Sequence, residues 1–584
     1  MGTRGGAPRP DRPLLKLAFI ALGDAPRVHS IAQARGWPRN SWFARTWSAL
    51  APEALLLACA MLWLPLANQP FLAAALRGRD PTLASTWGFA LAIAVALIAI
   101  HFLLLAALAW GRAFKPVVVL LLLATALASH FIRDFGVFLD PSMLRNALRT
   151  DWHEAGELIG WRLALTVLLA AGLPAALLWR VRLAPRPPAR ALLVRGATML
   201  VALVALVSAV LAAFQPLASL MRNQRELRYL ITPANVVWSL ASVAHVDTAV
   251  AATVKQPVGR DARLGPSFAG RERPAVVVLV VGETARAANW GLNGYARQTT
   301  PELATLPVLN FRDVTSCGTD TETSLPCMFS AVGRRDYDAA RIRGSENLLH
   351  VLATAGVGVT WRDNQSGCKG LCDGFASQRV EQLAPPGLCE GGRCLDEGLL
   401  HDLDRWLPTL KGPQLLVLHQ LGNHGPSYYR RVPAAFERFK PACRSDDLRD
   451  CTPEQIANAY DNALLYTDHL LATLIRRLQA LAPQVDSTVL YVSDHGESLG
   501  EHGLFLHGMP YAIAPDVQTK VPMVMWASDG YRAARGLDMA CLERRAAQPV
   551  SHDHLFHTLL DLLDVQTGVR DPALDLAQAC VQPH

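Results

Sequence analysis

Two short strings in this chain carry side chains able to grip a cation. Glu283 in VVGET and the adjacent Asp494 and His495 in YVSDHGE supply two carboxylates and an imidazole. These are the oxygen and nitrogen donors of a zinc site, and a catalytic zinc keeps a further position for a reacting group. Each string alone reads equally well as a turn with a capping acid; the combination is what points to a metal. The remaining position calls for a nucleophile, and SCGTDTETSLPCMFS (316–330) offers hydroxyls in a loop between Cys317 and Cys327. A threonine hydroxyl reacts poorly until a base or metal lowers its pKa. Thr321 is the candidate, although Thr319 and Thr323 stand two residues to either side and spacing separates neither them nor a purely structural Ser/Thr loop. Moving a phosphoryl group also needs donors around its non-bridging oxygens. Lys369, His424 and His507 have that chemistry, and each histidine also reads as a hydrogen-bonded core residue.

These residues need a scaffold that brings distant strings together. From Pro274 the sequence alternates helical stretches with short β-branched runs ending in polar residues: AVVVLVVGET, GVGVTWRDN, QLLVLHQLGNHG and STVLYVSDHGE. Such runs read as strands buried on both faces, hence a mostly parallel sheet flanked by helices in an α/β/α domain. Ligands bind beyond the carboxyl ends of strands in such sheets. Glu283, His419, His424, Asp494 and His495 stand at or just after run ends, so they should gather on one rim.

The apolar residues, 51% of the chain, concentrate in its first 220 positions. Roughly 20 apolar residues in a helix cross a hydrocarbon core of about 30 Å. Five segments, 54–76, 81–111, 116–132, 163–179 and 196–221, lack Asp, Glu, Lys and Arg and predict an N-terminal five-helix transmembrane domain over 51–221. Arginines and lysines accumulate before the first span, after the second (Arg112, Lys115) and after the fourth (Arg180, Arg182, Arg186, Arg190, Arg195), which sets that side in the cytoplasm. Residues 1–50, including LLKLAFIAL, read as a cytoplasmic extension. Five spans then place the C-terminal half outside. Residues 222–273 read as an amphipathic connector, with Tyr229, Leu230 and Trp238 at the interface, followed by a linker; 274–584 is the catalytic domain.

Cysteine usage agrees with that topology. Of eleven cysteines only Cys59 lies in the apolar region. Cys317/Cys327, Cys368/Cys372, Cys389/Cys394 and Cys443/Cys451 have the spacing of loop staples, leaving Cys541 and Cys580 to pair. An oxidising compartment follows, with a structural zinc cluster or free thiols as the rival reading. The net charge of +7 does not indicate nucleic acid, because no basic stripe is interleaved with aromatics.

The strings VVGETARAANWGLNGY, SCGTDTETSLPCMFS, WRDNQSGCKG, LHQLGNHGPSYY, NAYDNALLYTDH and LYVSDHGESLGEHGLFLHGMP, with RELRYLITPAN near the membrane, make the chain resemble the lipid A phosphoethanolamine transferases. That family includes the mobile colistin-resistance enzymes, within the alkaline phosphatase/sulfatase superfamily. The resemblance implies an alkaline-phosphatase/sulfatase-like catalytic domain with Zn2+ on Glu283, Thr321, Asp494 and His495, a second zinc being left open. It implies Thr321 as the phosphorylated nucleophile, Lys369, His424 and His507 on the substrate phosphate, and His419 beside them. Gln365 stands where some members carry asparagine. Asn146, Thr150 and Glu154, four apart and so on one face of a helix, match positions that line the phosphoethanolamine pocket. The implied activity is transfer of phosphoethanolamine from phosphatidylethanolamine to lipid A by a monomer of the bacterial inner membrane, its catalytic domain in the periplasm. A core-sugar or periplasmic-glucan acceptor is the alternative; ester hydrolysis by a membrane-bound sulfatase or phosphatase is a further rival.

Overall fold

The computed structural model describes residues 49–150, 152–251 and 254–581, so all but the end of the 1–50 extension lies outside the described residues. Four helices are long and apolar enough to cross a membrane, Ala84–Leu108, Gly111–Phe135, Trp161–Arg180 and Pro188–Ala212. The pair Pro52–Ala67 and Gln69–Leu76, bent by 62°, makes a fifth span when its two helices are counted together. The bend is held by Asn68, fully buried, whose Nδ2 donates to the Trp63 and Thr232 carbonyls while its Oδ1 accepts from Thr232 N–H. Large side chains such as Leu91, Leu193 and Val201 stay exposed on these helices, the surface expected of helices solvated by lipid.

The last span departs from the expected 196–221. Its helix begins at Pro188, ends at Ala212, and a separate helix, Phe214–Asn223, follows. Arg195, expected in a cytoplasmic loop, is buried within the helix because Glu53 accepts from its Nε at 3.2 Å and the Ala106 and Ala109 carbonyls accept from its Nη1. A guanidinium supplied with a carboxylate and two carbonyls at a helix C-terminus can be buried where an unpaired one cannot. The connector also differs: Trp238 is exposed but Leu230 is buried, packed with the neighbourhood of Met509 from the catalytic domain. The expected linker is tied down from Gln256 onward, with Arg263 and Leu264 pairing antiparallel to Gln566 and Val565.

The catalytic domain is built on eight strands: β1 (Ala275–Gly282), β2 (Leu309–Thr315), β3 (Gly358–Asp363), β4 (Ala376–Arg379), β5 (Pro413–His419), β6 (Asp486–Ser493), β7 (Lys520–Ala527) and β8 (Val550–Ser551). Their order across the sheet is β8-β2-β7-β6-β1-β5-β3-β4, and β7 alone runs antiparallel to its neighbours. The β1 run explains why it sits centrally. Val277, Leu279 and Val281 enter one apolar cluster, Val276, Val278 and Val280 the cluster on the opposite face, and all six are fully buried. Burial of each is worth about 1.5–3 kcal/mol. Strands β6, β1, β5 and β3 are adjacent and parallel, so their carboxyl ends deliver Ser493, Gly282, His419 and Asp363 to one rim.

All five cysteine pairs form disulfides, Cys317–Cys327, Cys368–Cys372, Cys389–Cys394, Cys443–Cys451 and Cys541–Cys580, with Cys59 free.

Candidate active site

Glu283 follows β1 directly, and Asp494 and His495 follow β6; all three are fully buried. The next residue after Glu283, Thr284, has φ 54°, a strained value for a β-branched residue. In that conformation its N–H reaches Asp494 Oδ1 at 3.3 Å, tying the two loops together. His495 Nε2 lies 3.4 Å from Glu283 Oε1 and 3.4 Å from Asp494 Oδ2. Its Nδ1 is 2.9 Å from the Gly496 carbonyl, a partner that takes the ring proton on that side and leaves Nε2 facing the carboxylates.

The three threonines left open by spacing are separated by geometry. Thr319 Oγ1 donates to the Met509 carbonyl at 2.6 Å, and Thr323 Oγ1 lies 3.0 Å from Asp320 Oδ2 and 2.5 Å from Ser142 Oγ. Thr321 Oγ1 alone enters the acidic cluster, 3.0 Å from Glu283 Oε2 and 3.3 Å from His495 Nε2. It opens the helix Thr321–Met328, N-capped by the Asp320 side chain, where backbone N–H groups favour developing negative charge.

Electrostatics test whether these side chains fit a cation. Glu283 Oε1 and Asp494 Oδ2 are buried without a hydrogen-bond donor. Burial, and after it the charge of Glu283, pushes Asp494 up to about 7. Burial opposes ionisation of His495 and of Glu283 as well, but the charge of Asp494 and then of Glu283 raises His495 to about 10, and His495 holds Glu283 well below the carboxylate range. Two unsatisfied carboxylate oxygens, an oriented imidazole nitrogen and a hydroxyl within one pocket fit a divalent ion of zinc type. Glu283 with His424 and His507 forms a second group of ligand atoms, all within 4.8 Å of one another. His424 Nδ1 and His507 Nδ1 are also unpartnered.

His419 ends β5, fully buried, with Nδ1 2.7 Å from Asp363 Oδ1 and Nε2 unpartnered. Burial opposes its protonation, yet the Asp363 hydrogen bond raises its pKa. Lys369 adopts φ 51° inside the Cys368–Cys372 loop, and its Nζ donates to Ser366 Oγ at 2.6 Å. Gln365 Nε2 donates to Glu283 Oε2 at 3.3 Å.

The Asn146, Thr150, Glu154 triad does not share one helical face. The helix Pro141–Arg149 stops with Thr150 as its cap, and a second helix, Trp152–Glu157, begins anew. Thr150 Oγ1 turns back to the Asn146 carbonyl at 2.8 Å, using the hydroxyl locally. Glu154 lines a cleft of about 340 Å³ with Gln365, Glu381, Arg393 and Arg431; Asn146 and Thr150 lie outside its lining.

The phosphoethanolamine transferase EptA/EptB family model matches residues 97–248, and the sulfatase model matches 275–565. Phosphoethanolamine transferase EptA of Escherichia coli strain K12 is 39% identical over 469 residues, spanning 80% of this chain and 85% of that protein. The chain belongs to the EptA-type phosphoethanolamine transferase family. Phosphatidylethanolamine transferase Mcr-1 of Escherichia coli is 37% identical over 495 residues, 83% of this chain and 90% of that one. The integral membrane lipooligosaccharide phosphoethanolamine transferase A of Neisseria meningitidis superposes with a TM-score of 0.86 at 36% identity, covering 92% of this chain and 100% of that structure.

In this transferase, sequence reasoning overlooked the pairs that join the membrane half to the catalytic half. Glu157 is buried, accepts from Arg431 at 2.7 Å and forms an ion pair with Arg393 at 3.0 Å, while Arg449 reaches Asp134 at 2.7 Å. The partners lie hundreds of positions apart, so no local pattern marks them. Asp363 was legible in principle as the acid closing a buried strand.

Proposed function

We propose that this transferase moves phosphoethanolamine from phosphatidylethanolamine onto a phosphate of lipid A, on the periplasmic face of the bacterial inner membrane, through a covalent intermediate on Thr321. The observation that carries this reading is the placement of Thr321 Oγ1, alone among its neighbouring hydroxyls, 3.0 Å from Glu283 and 3.3 Å from His495. Zinc held by Glu283, Asp494, His495 and Thr321 would act as the Lewis acid that lowers the hydroxyl pKa.

The Thr321 oxygen, its proton released, attacks the phosphorus of the donor. A P–O bond to Thr321 forms as the P–O bond to glycerol breaks, and diacylglycerol leaves after taking a proton. An oxygen of the acceptor phosphate then attacks the same phosphorus and Thr321 departs, regaining its proton. The Lys369 ammonium and the His424 and His507 rings bind the non-bridging oxygens, and the Asp363-oriented His419 stands behind them. The Glu154 carboxylate, in a cleft also lined by Gln365, whose amide donates to Glu283, suits the ethanolammonium group. Masking a phosphate with this cation would lower lipid A negative charge and its affinity for polymyxin-type peptides.

Lipid A is preferred over a core sugar because the Kdo(2)-lipid A phosphoethanolamine 7''-transferase of Escherichia coli is only 28% identical over 509 residues. Mass spectrometry of lipid A from cells expressing wild type or Thr321→Ala tests the proposal. A phosphoethanolamine adduct should appear with wild type and vanish with the variant; an adduct that persists removes Thr321 as nucleophile, and modification of a core sugar or glucan instead replaces the acceptor.

A further inference from the structure

A second cleft, of about 600 Å³, lies beside the nucleophile helix and is walled by Arg149, Lys255, Arg343 and Lys369, with Asp247 and Asp373 as its acids. Its charge is not balanced internally. Glu322, next to Thr321 and completely buried, accepts from Arg149 at 3.2 Å and Arg343 at 3.1 Å, and Lys369 Nζ is 3.9 Å from its other oxygen. Asp247 is shared between Arg149 at 3.3 Å and Arg145 at 3.1 Å. These two carboxylates therefore serve three guanidiniums and an ammonium. Lys369 is itself buried, with Ser366 its one close acceptor. Among the described residues, Lys255 makes no hydrogen bond or ion pair although it is half-buried. Burial lowers the Arg343 pKa; Glu322 opposes this, and the nearby Arg145 and Arg149 lower it further. Leaving cations partly desolvated without counter-charge is unfavourable unless an anion arrives.

We propose that this cleft is a docking subsite for a phosphomonoester carried by the acceptor lipid, recognised by Arg149, Lys255, Arg343 and Lys369. The inference rests on the transferase reading above and adds where the acceptor is held. A phosphomonoester brings up to two negative charges and no positive one, whereas the donor head group brings an ammonium that these cations would repel. That ammonium suits the Glu154 carboxylate in the other cleft, where Glu381 is already paired with Arg379. The origin of the wall residues points to a lipid-borne ligand: Arg149 ends the helix Pro141–Arg149 between two spans, and Asp247 and Lys255 belong to the segment that follows the last span. Lys369, assigned above to the substrate phosphate, lines this cleft, and Glu322, which Arg149 and Arg343 contact, adjoins Thr321.

The test is equilibrium binding of fluorescent lipid A, with its phosphates intact or removed, to the full-length protein in detergent micelles. Wild type should bind the phosphorylated form about tenfold more tightly than the dephosphorylated one. Lys255→Glu and Arg149→Gln, made separately, should each remove most of that difference, and Lys255→Arg should keep it. Equal affinity of wild type for the two forms, or a preference untouched by either loss-of-charge variant, would overturn the proposal. So would a parallel loss of binding to phosphatidylethanolamine micelles, which would assign the cleft to the donor. Because binding is read rather than turnover, a wild type that binds phosphorylated lipid A in this way but transfers nothing would sink the function proposed above and leave the subsite standing.

Discussion

Stripping the cation from the full-length enzyme should make its thermal stability fall as pH rises from about 4.5 to 8. Asp494 is pushed from an ordinary value of 3.8 up to about 7 by burial and by Glu283. A carboxyl with a raised folded-state pKa binds its proton more tightly folded than unfolded, so its contribution is complete at low pH and is lost as pH climbs through about 7. A shift from 3.8 to about 7 corresponds to about 4 kcal/mol. Two unit charges 4.8 Å apart, the outer limit for this ligand group, repel by about 3.5 kcal/mol at an effective dielectric near 20, so the Glu283 charge alone is of the same order as the whole shift. His495, raised from 6.5 to about 10, adds loss of the same sign above pH 6.5. Glu283, held below its ordinary 4.5, acts in the opposite sense only under about pH 4.5. At roughly 2 °C per kcal/mol for a domain of this size, chelated enzyme should lose about 8 °C across the window. Zinc added at pH 7.5 should restore it. Asp494→Asn keeps an acceptor for the Thr284 and His495 N–H groups but removes the repulsion, so its chelated form should be flatter with pH, more stable than chelated wild type at pH 7.5, and indifferent to zinc. Superimposable melting profiles of chelated wild type and Asp494→Asn would refute the reasoning.

Other perturbations follow from single contacts. Incubating Thr321→Ser with donor lipid alone should still yield a covalent phosphoethanolamine adduct on the nucleophile peptide, and Thr321→Ala should yield none, read by mass spectrometry of the digested protein. Glu157→Ala leaves Arg393 and Arg431 without their buried carboxylate, and should cost about 3–5 kcal/mol of docking, visible as faster hydrogen exchange in Trp152–Glu157; unchanged protection there would show the pairs to be inconsequential. Asn68→Ala strands the Thr232 N–H and carbonyl at the bend of the first span, and should lower stability in detergent by about 2–4 kcal/mol while transfer per folded molecule is retained. Asp363→Asn removes the charge that keeps His419 basic, so the acidic pH limb of kcat/KM should persist while the basic limb moves to lower pH; an unmoved profile would exclude His419 from proton or phosphate handling.

Much of this molecule was legible because its signals are local. AVVVLVVG can satisfy burial on both faces only as a central strand, and the four strand-ending strings all reach one rim. Short cysteine spacings suggested four local staples and a fifth, distant pair, with the pairing itself left to the structure, where all five form. What eluded the sequence depended on distant partners. Arg195 signalled a loop, yet Glu53 and two carbonyls of another helix allow it inside. The four-residue spacing of Asn146, Thr150 and Glu154 promised one face, but Thr150 bonds back to Asn146 and ends the helix. Choice among three threonines likewise required Met509 and Ser142, residues nearly two hundred positions away, to occupy the other two hydroxyls.

The recognition clefts are assembled from both halves of the chain, whereas every proposed metal ligand comes from the catalytic half. A fragment cut near residue 274 would keep Glu283, Thr321, Asp494 and His495 yet forfeit Arg149, Glu154, Asp247 and Lys255. Rates measured on such a truncate with small soluble esters would report bond-making competence stripped of client selection, and inhibitors ranked on it would be blind to the walls that the membrane half supplies to both clefts.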